Sequence, residues 1–345
     1  MATRLSAVAK FAGVSEATVS RVLNGKPGVS QATRDTVLTA LDVFGFARPE
    51  PVRAERARLI GLVLPDLQNP IFPAFAEVLG VSLIQRGLVP VLCTRTADGV
   101  SEAHYIQMLL AQQVGGIVFV GSSYADAGPE QCRQLVERKL PVVLINAADE
   151  NLGVAQVCVD DAAAAEQALV HLTGLGHERI GLILGPSGHV PSVRKLAGFG
   201  RFWQARGERR WRSWVDHTVF SVEGGRLAAT RLVTAGVTAL VCGSDALALG
   251  AVRAVRRLGL EVPRDVSVVG FDDSTYMAVT DPPLTTVRQP VRAMATAAIS
   301  SLTAQLDGRP LPGGAAGHEV LFEPELIVRG TTGPAPVDRT LASAH

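Results

Sequence analysis

From residue 59 onward, short apolar runs alternate with longer segments in which apolar residues recur every three or four positions. The runs are LIGLVLPD (59–66), PVLCTR (90–95), GGIVFVG (115–121), PVVLIN (141–146) and QVCVDD (156–161). They continue with RIGLILGP (179–186), HTVF (217–220), ALVCGSD (239–245), DVSVVGFDD (265–273), LTTVRQP (284–290) and ELIVR (325–329). Helix-length segments lie between most of them, at 74–86, 102–113, 162–173, 196–206, 225–234 and 246–258. Unbroken apolar strands separated by helices predict parallel sheets covered on both faces. Two successive sets, 59–160 and 179–273, predict two similar Rossmann-like α/β subdomains. LTTVRQP and the helix at 291–306 are expected to cross back to the first.

The first 48 residues carry a helical period throughout. Leu5, Val8, Ala9 and Ala12 form a stripe that ends at Gly13. Ser15 then reads as an N-cap with Val14 and Val19 as a hydrophobic staple, and Glu16 suits the positive end of the helix. Val19, Val22 and Leu23 share one face, and Asn24-Gly25 supplies a left-handed stop. Ser30 caps a third helix whose face is Val37, Leu41 and Phe44. Three short helices with a Gly-Val-Ser turn between the first two predict an all-α helix-turn-helix head.

The outer face of the second helix is polar and small. In a helix-turn-helix that face enters the DNA major groove. Arg21 can pair bidentately with guanine, and Glu16 and Ala17 lie at the tip, Ala17 suited to a thymine methyl. Ser15, Ser20, Asn24, Ser30 and Thr33 are placed for phosphates, which fix register. The plain alternative is a three-helix bundle with a solvated face. Charge bears on the choice: residues 1–58 hold nine Lys/Arg against five Asp/Glu, a net +4 in a chain of net +1. A basic head on a body of net −3 suits a polyanion partner.

Other chemistry is sparse. The four cysteines (Cys93, Cys132, Cys158, Cys242) show no metal spacing; three sit in apolar runs, as buried residues of a reducing cytoplasm would. No 18-residue apolar span or signal-peptide core is present, so no membrane partner is expected. No dinucleotide, phosphate-loop, serine-elbow or zinc-helix motif occurs, so neither a catalytic residue nor a metal or cofactor is expected. His171 and His177 flank a helix end, where the dipole favours them. The tryptophans of FWQARGERRWRSW are read as lying in an Arg-rich surface segment.

The stretch VAKFAGVSEATVSRVLNGKPGVSQATRDTVLTALDVFGF resembles the N-terminal domain of the lactose-repressor/galactose-repressor (LacI/GalR) family, with Ala7 where an acid is usual. The resemblance continues to about Gly330. It implies a helix-turn-helix domain at 1–48, a hinge at 49–58, a periplasmic-binding-protein-like effector and dimerisation core at 59–330, and a flexible tail at 331–345. It further implies a cytoplasmic homodimer that binds a palindromic operator as a repressor, under control of a small, sugar-like effector. By position it places Phe72, Phe220 and Asp272 against the effector, with Asp160, His189, Arg194, Lys195 and Ser244 as further candidates. Ser244-Asp245 replaces the family's Asn-Asp. The hinge, ARPEPVRAERARLIG, has no leucine before Leu59 to wedge the minor groove; Arg53, Arg56 and Arg58 are expected to contact DNA there instead. A tail without leucine heptads points to a dimer. The alternatives are a solute-binding protein and a regulator answering to a nucleoside-like ligand.

Overall fold

The computed structural model describes residues 2–23, 28–44, 58–95, 100–121, 133–135, 137–147, 153–309 and 319–336. The chain forms two compact units, Met1–Ala57 and Arg58–His345. Among the described residues no helix is long and apolar enough to cross a membrane.

The first unit contains α1 (Ala2–Ala12), α2 (Glu16–Leu23) and α3 (Gln31–Val43). Val8, Ala9, Val19, Val22, Val37, Ala40 and Leu41 form its core. Gly13 turns the chain between α1 and α2 at φ +66°, a conformation that glycine adopts without the steric cost of a side chain. Ser15 and Ser30 accept from the amides of Thr18 and Thr33, both at 3.2 Å, and so cap α2 and α3. Phe44 departs from the expected core. It falls one residue beyond the end of α3, is 42% exposed, and packs edge-to-face on Phe11 with ring centroids 5.6 Å apart.

The second unit holds two six-stranded sheets. The first consists of β1 (Leu59–Leu64), β2 (Val89–Thr94), β3 (Gly116–Val120), β4 (Val142–Ile145), β5 (Ala155–Val159) and β11 (Glu319–Phe322). Its order is β11-β5-β4-β3-β1-β2, parallel throughout. The second consists of β6 (Ile180–Leu184), β7 (Val215–His217), β8 (Ala239–Cys242), β9 (Ser267–Asp272), β10 (Thr285–Arg288) and β12 (Glu325–Ile327). Its order is β12-β10-β9-β8-β6-β7, and only β12 runs antiparallel. The intervening helices are α4 (Ile71–Ile84), α5 (Glu102–Ala111), α6 (Asp161–Gly174), α7 (Val190–Ala205), α8 (Val222–Thr234), α9 (Asp245–Arg257) and α10 (Val291–Leu306). Two mostly parallel α/β sheets are the architecture that the alternating pattern predicts.

The return to the first sheet differs in detail. LTTVRQP stays in the second sheet as β10, paired with β9, and the crossing is made by α10, which packs on α4 and on β3–β5. β11, a short strand of mixed polarity, completes the first sheet and carries no run long enough to announce it.

Two further expectations are corrected. Trp203, Trp211 and Trp214 are buried; with Phe199 and Phe202 they form a chain of edge-to-face rings, over which Arg206 and Arg212 stack. The arginines lie outermost because a guanidinium can cover an aromatic face while remaining hydrated. Residues 331–336, expected to be loose, are tied down instead. Thr331 is fully buried and bonds to Val268 and Thr285, and the amide of Ala335 donates to Leu175. His171 and His177 hold this segment through Thr332 Oγ1 and the Gly333 carbonyl. Residues 337–345 lie outside the described residues, as does Cys132; Cys93, Cys158 and Cys242 are buried free thiols.

Candidate functional site

The carboxyl ends of ten parallel strands converge on a cavity of about 310 Å³ in the second unit. Such strand ends are where open α/β sheets bind ligands, because the chain there leaves the sheet and exposes side chains and backbone. Asp66, Arg95, Gly121 and Asn146 come from the first sheet; Pro186, Phe220, Ser244, Asp272 and Gln289 come from the second. A more open groove of about 460 Å³ lies along α9, beside Leu249, Val252 and Arg256, but brings no comparable polar network together.

The cavity's polar chain begins at Asp272, the last residue of β9. Gln289 Nε2 donates to Asp272 Oδ1 at 2.6 Å, and Asn146 Nδ2 donates to Gln289 Oε1 at 2.7 Å. Asn146 Oδ1 accepts from the amide of Val159 at 3.2 Å, which anchors the chain in the first sheet. Asp272 Oδ2 is buried and has no hydrogen-bond partner. Burial, and then the charge of nearby Asp245, push the Asp272 carboxyl well above the usual range; Gln289, Lys195 and Asn69 oppose the shift. Asp245 lies behind the wall, held by Thr286 Oγ1 at 2.6 Å and the Ser274 amide at 2.8 Å, and burial pushes it up to about 6. Asn146 and Asp272 have positive φ, +53° and +122°, conformations that are costly for residues with a Cβ and that cluster at ligand clamps.

A second polar pair is Lys195 and Asp161. Lys195 Nζ donates to Asp161 Oδ1 and stands 3.5 Å from the centroid of the Phe271 ring. Both side chains are buried. Burial raises the Asp161 carboxyl while Lys195 pulls it down. Phe72, Phe75, Phe220 and Phe271 supply the apolar walls. Phe220 stacks on His189 at 6.2 Å and 17°, and lies over Gly185 so closely that a Cβ there would sit 2.0 Å from its ring.

Of the residues expected at an effector, the cavity collects Phe72, His189, Lys195, Phe220, Ser244 and Asp272. Ser244 also caps α9, accepting from the Leu247 amide at 3.3 Å. Two expected residues are elsewhere. Asp160 is not in the lining: its Oδ1 caps α6 by accepting from the Ala163 amide at 2.9 Å, and its neighbour Asp161 faces inward. Arg194 points away from its neighbour Lys195, because consecutive helical residues are about 100° apart. It makes a bidentate pair with Glu319 of β11, at 2.5 and 3.1 Å. Sequence reasoning missed Asn146 and Gln289. The strand-end rule alone would have nominated Asn146, the last residue of PVVLIN; nothing local marks Gln289.

In the first unit, Ser15, Glu16, Ala17, Ser20 and Arg21 are all exposed, with Ala17, Ser20 and Arg21 on the side of α2 away from Val19 and Val22, and Ser30 is exposed with Thr33 half-buried at the start of α3. The hydroxyl of Ser15 meets Thr18 at 2.9 Å and that of Ser30 meets Thr33 at 2.8 Å. Asn24, Arg53 and Arg56 lie outside the described residues; Arg58, which is described, is exposed.

Comparison with known proteins bears on both units. Residues 4–48 match the family model for bacterial regulatory proteins, lacI family, and residues 169–332 match the periplasmic binding protein-like domain. The HTH-type transcriptional regulator reg1 of Streptomyces lividans is 49% identical, covering 98% of this chain and 99% of its own length. The HTH-type transcriptional regulator MalR of Streptomyces coelicolor is 48% identical over the same shares. A solved complex of the transcriptional regulator CelR with cellobiose has a TM-score of 0.69 at 31% identity, covering 95% of this chain and 99% of that one. The chain therefore belongs to the lacI family of bacterial regulatory proteins, and it is a DNA-binding transcriptional regulator rather than an enzyme.

Proposed function

We propose that the protein is a cytoplasmic homodimeric repressor that reads a near-palindromic operator with paired heads and answers to a sugar-like effector. Two copies of one head match two half-sites related by a two-fold axis. In this reading Arg21 reads a guanine, Glu16 and Ala17 meet base edges, and Ser15, Ser20, Asn24, Ser30, Thr33, Arg53 and Arg56 contact the DNA backbone or minor groove. The observation that carries the effector assignment is the cavity itself: aromatic walls around a buried carboxylate–amide chain with one unpartnered oxygen. Phenyl rings suit the C–H faces of a pyranose, and fixed acceptors suit its hydroxyls. The cellobiose bound by CelR, at 31% identity, agrees with a sugar. Here Phe72 and Phe220 hold the ring faces, Asp272, Lys195 and Ser244 its hydroxyls. Occupancy acts on DNA by favouring one of two arrangements of the dimer.

The test is fluorescence anisotropy of the full chain on operator-library DNA, with and without maltose, cellobiose or adenosine. A sugar that changes DNA affinity at least fivefold, with the change lost in Asp272→Ala, supports the assignment. A response to adenosine alone would move the effector to the nucleosides.

A further inference from the structure

We propose that the cavity selects against anionic effectors, and that Asp161, by balancing the ammonium of Lys195, is the residue that sets this selectivity. The inference rests on the effector reading of the cavity and goes further by naming the charge class of its ligand.

Among the described residues, two Lys/Arg side chains line the cavity, Arg95 and Lys195. Lys195 is bonded to Asp161 and covered by the Phe271 ring. Arg95, at the end of β2, stands 3.6 Å from Glu102, whose buried carboxylate has an oxygen without a hydrogen-bond partner and holds the guanidinium by charge. Against these stand the carboxyl groups of Asp66, Asp161 and Asp272 in the lining itself.

A phosphate or carboxylate brought into such a space must be desolvated and then paired with a free guanidinium or ammonium, in a geometry that offers parallel donors. The charge of Lys195 is balanced by Asp161 and that of Arg95 by Glu102, so an anion in the lining meets no uncompensated cation among the described residues. At the helix starts, Asp160 and Ser244 each take one first-turn amide, of α6 and α9, and Pro191 removes one donor from the first turn of α7. A hydroxyl-rich neutral ligand meets no such obstacle: Asp272 Oδ2 accepts from it, and Lys195 retains donors beyond the one given to Asp161.

The experiment measures dissociation constants by calorimetry for matched pairs: cellobiose against cellobiose 6′-phosphate, maltose against maltose 6′-phosphate, and adenosine against AMP. The proteins are wild type, Asp161→Asn, and the double variant Asp161→Asn/Lys195→Met. Wild type should favour the neutral member of whichever pair binds by at least tenfold. Asp161→Asn frees the ammonium and should erase or invert that preference. The double variant, neutral again at both positions, should restore the ratio while binding both members of a pair more weakly, because Lys195 no longer meets the ligand's hydroxyls. An anionic sugar that binds wild type as tightly as its neutral counterpart overturns the proposal and leaves the sugar reading standing. An unchanged ratio in Asp161→Asn, folded by circular dichroism, overturns the role of Asp161; if that variant does not fold, the wild-type ratio alone decides the selectivity and the double variant decides the role, which fails if neutralising both positions alters the ratio. Adenosine binding without AMP or sugars removes the sugar reading and upholds the charge selection. Silence across all pairs overturns both.

Discussion

Asp272→Asn separates the stability of the empty cavity from its hold on a ligand. The carboxyl is buried, has one oxygen without a partner, and faces the charge of Asp245, so its ionised form is disfavoured in the folded chain. Asp245 gives the scale. A shift from 3.8 to about 6 spans about two pH units, and each unit is worth roughly 1.4 kcal/mol, so ionising that group costs the fold about 3 kcal/mol. Asp272 is pushed in the same direction. An asparagine never ionises, keeps an acceptor for Gln289, and relieves Asp245 of a like charge. It also places an amide nitrogen where Oδ2 was, which offsets part of the gain.

We expect a net stabilisation of about 2 kcal/mol at pH 8, or roughly 4–6 °C in melting temperature for a unit of this size. The sign follows from linkage. Both carboxyls have folded values above their unfolded ones, so the native state binds more protons than the unfolded state in that window. Wild-type stability from these groups is fully present below about pH 4 and declines as pH rises through the folded values. The advantage of Asp272→Asn should therefore vanish near pH 4 and grow toward pH 8. Thermal unfolding of both proteins across that range measures it, and effector affinity should fall at least tenfold in the variant. A difference that stays flat with pH, or a less stable variant at pH 8, would refute the argument.

The remaining expectations concern other parts of the chain. Arg21→Ala should weaken operator binding by roughly 1–3 kcal/mol and relax selection at one base pair, read by anisotropy on singly substituted operators; loss spread evenly over all sequences would make Arg21 a phosphate contact. Gly185→Ala places a Cβ 2.0 Å from the Phe220 ring and should displace it, costing effector affinity at least tenfold while the melting temperature moves only a few degrees; unchanged affinity would remove Phe220 from the site. His177 is held neutral by burial, with Thr238, Ser267 and Gly333 around it, so its charged form opposes the fold. Relative to His177→Gln, wild type should lose stability as pH falls below about 6.5, by at most roughly 1.4 kcal/mol per pH unit; parallel pH curves would refute this. Trp211→Ala should cost roughly 3–5 kcal/mol by emptying the aromatic chain beside Phe199; circular dichroism melting checks it, and a shift under a degree would return Trp211 to the surface.

Much of this protein is local information. A strand buried on both faces must be apolar at every position, so runs such as LIGLVL and VVLI declare themselves. The helices of the head are equally legible from their stripes and from Ser15 and Ser30, since a cap acts within three residues of itself. The strand-end rule also reaches Asp272 and Asn146, because a strand's carboxyl end is a local feature.

What the sequence could not decide is which of two neighbouring side chains faces the cavity and which partner it meets. Asp160 and Asp161 are the same residue type one step apart; the start of α6 turns the first to its own amides and the second to Lys195. Arg194 and Lys195 diverge for the same reason, one toward Glu319, 125 positions along the chain, the other into the cavity. Gln289 has no local mark, since its function comes from joining Asp272 to Asn146, a residue 143 positions before Gln289 in the chain. The tryptophans beside so many arginines read as surface because composition does not tell which face of a helix meets a sheet. Pattern along a chain records how each residue sees its near neighbours; charge pairing, burial and the closing of a cavity depend on residues that only the fold brings together.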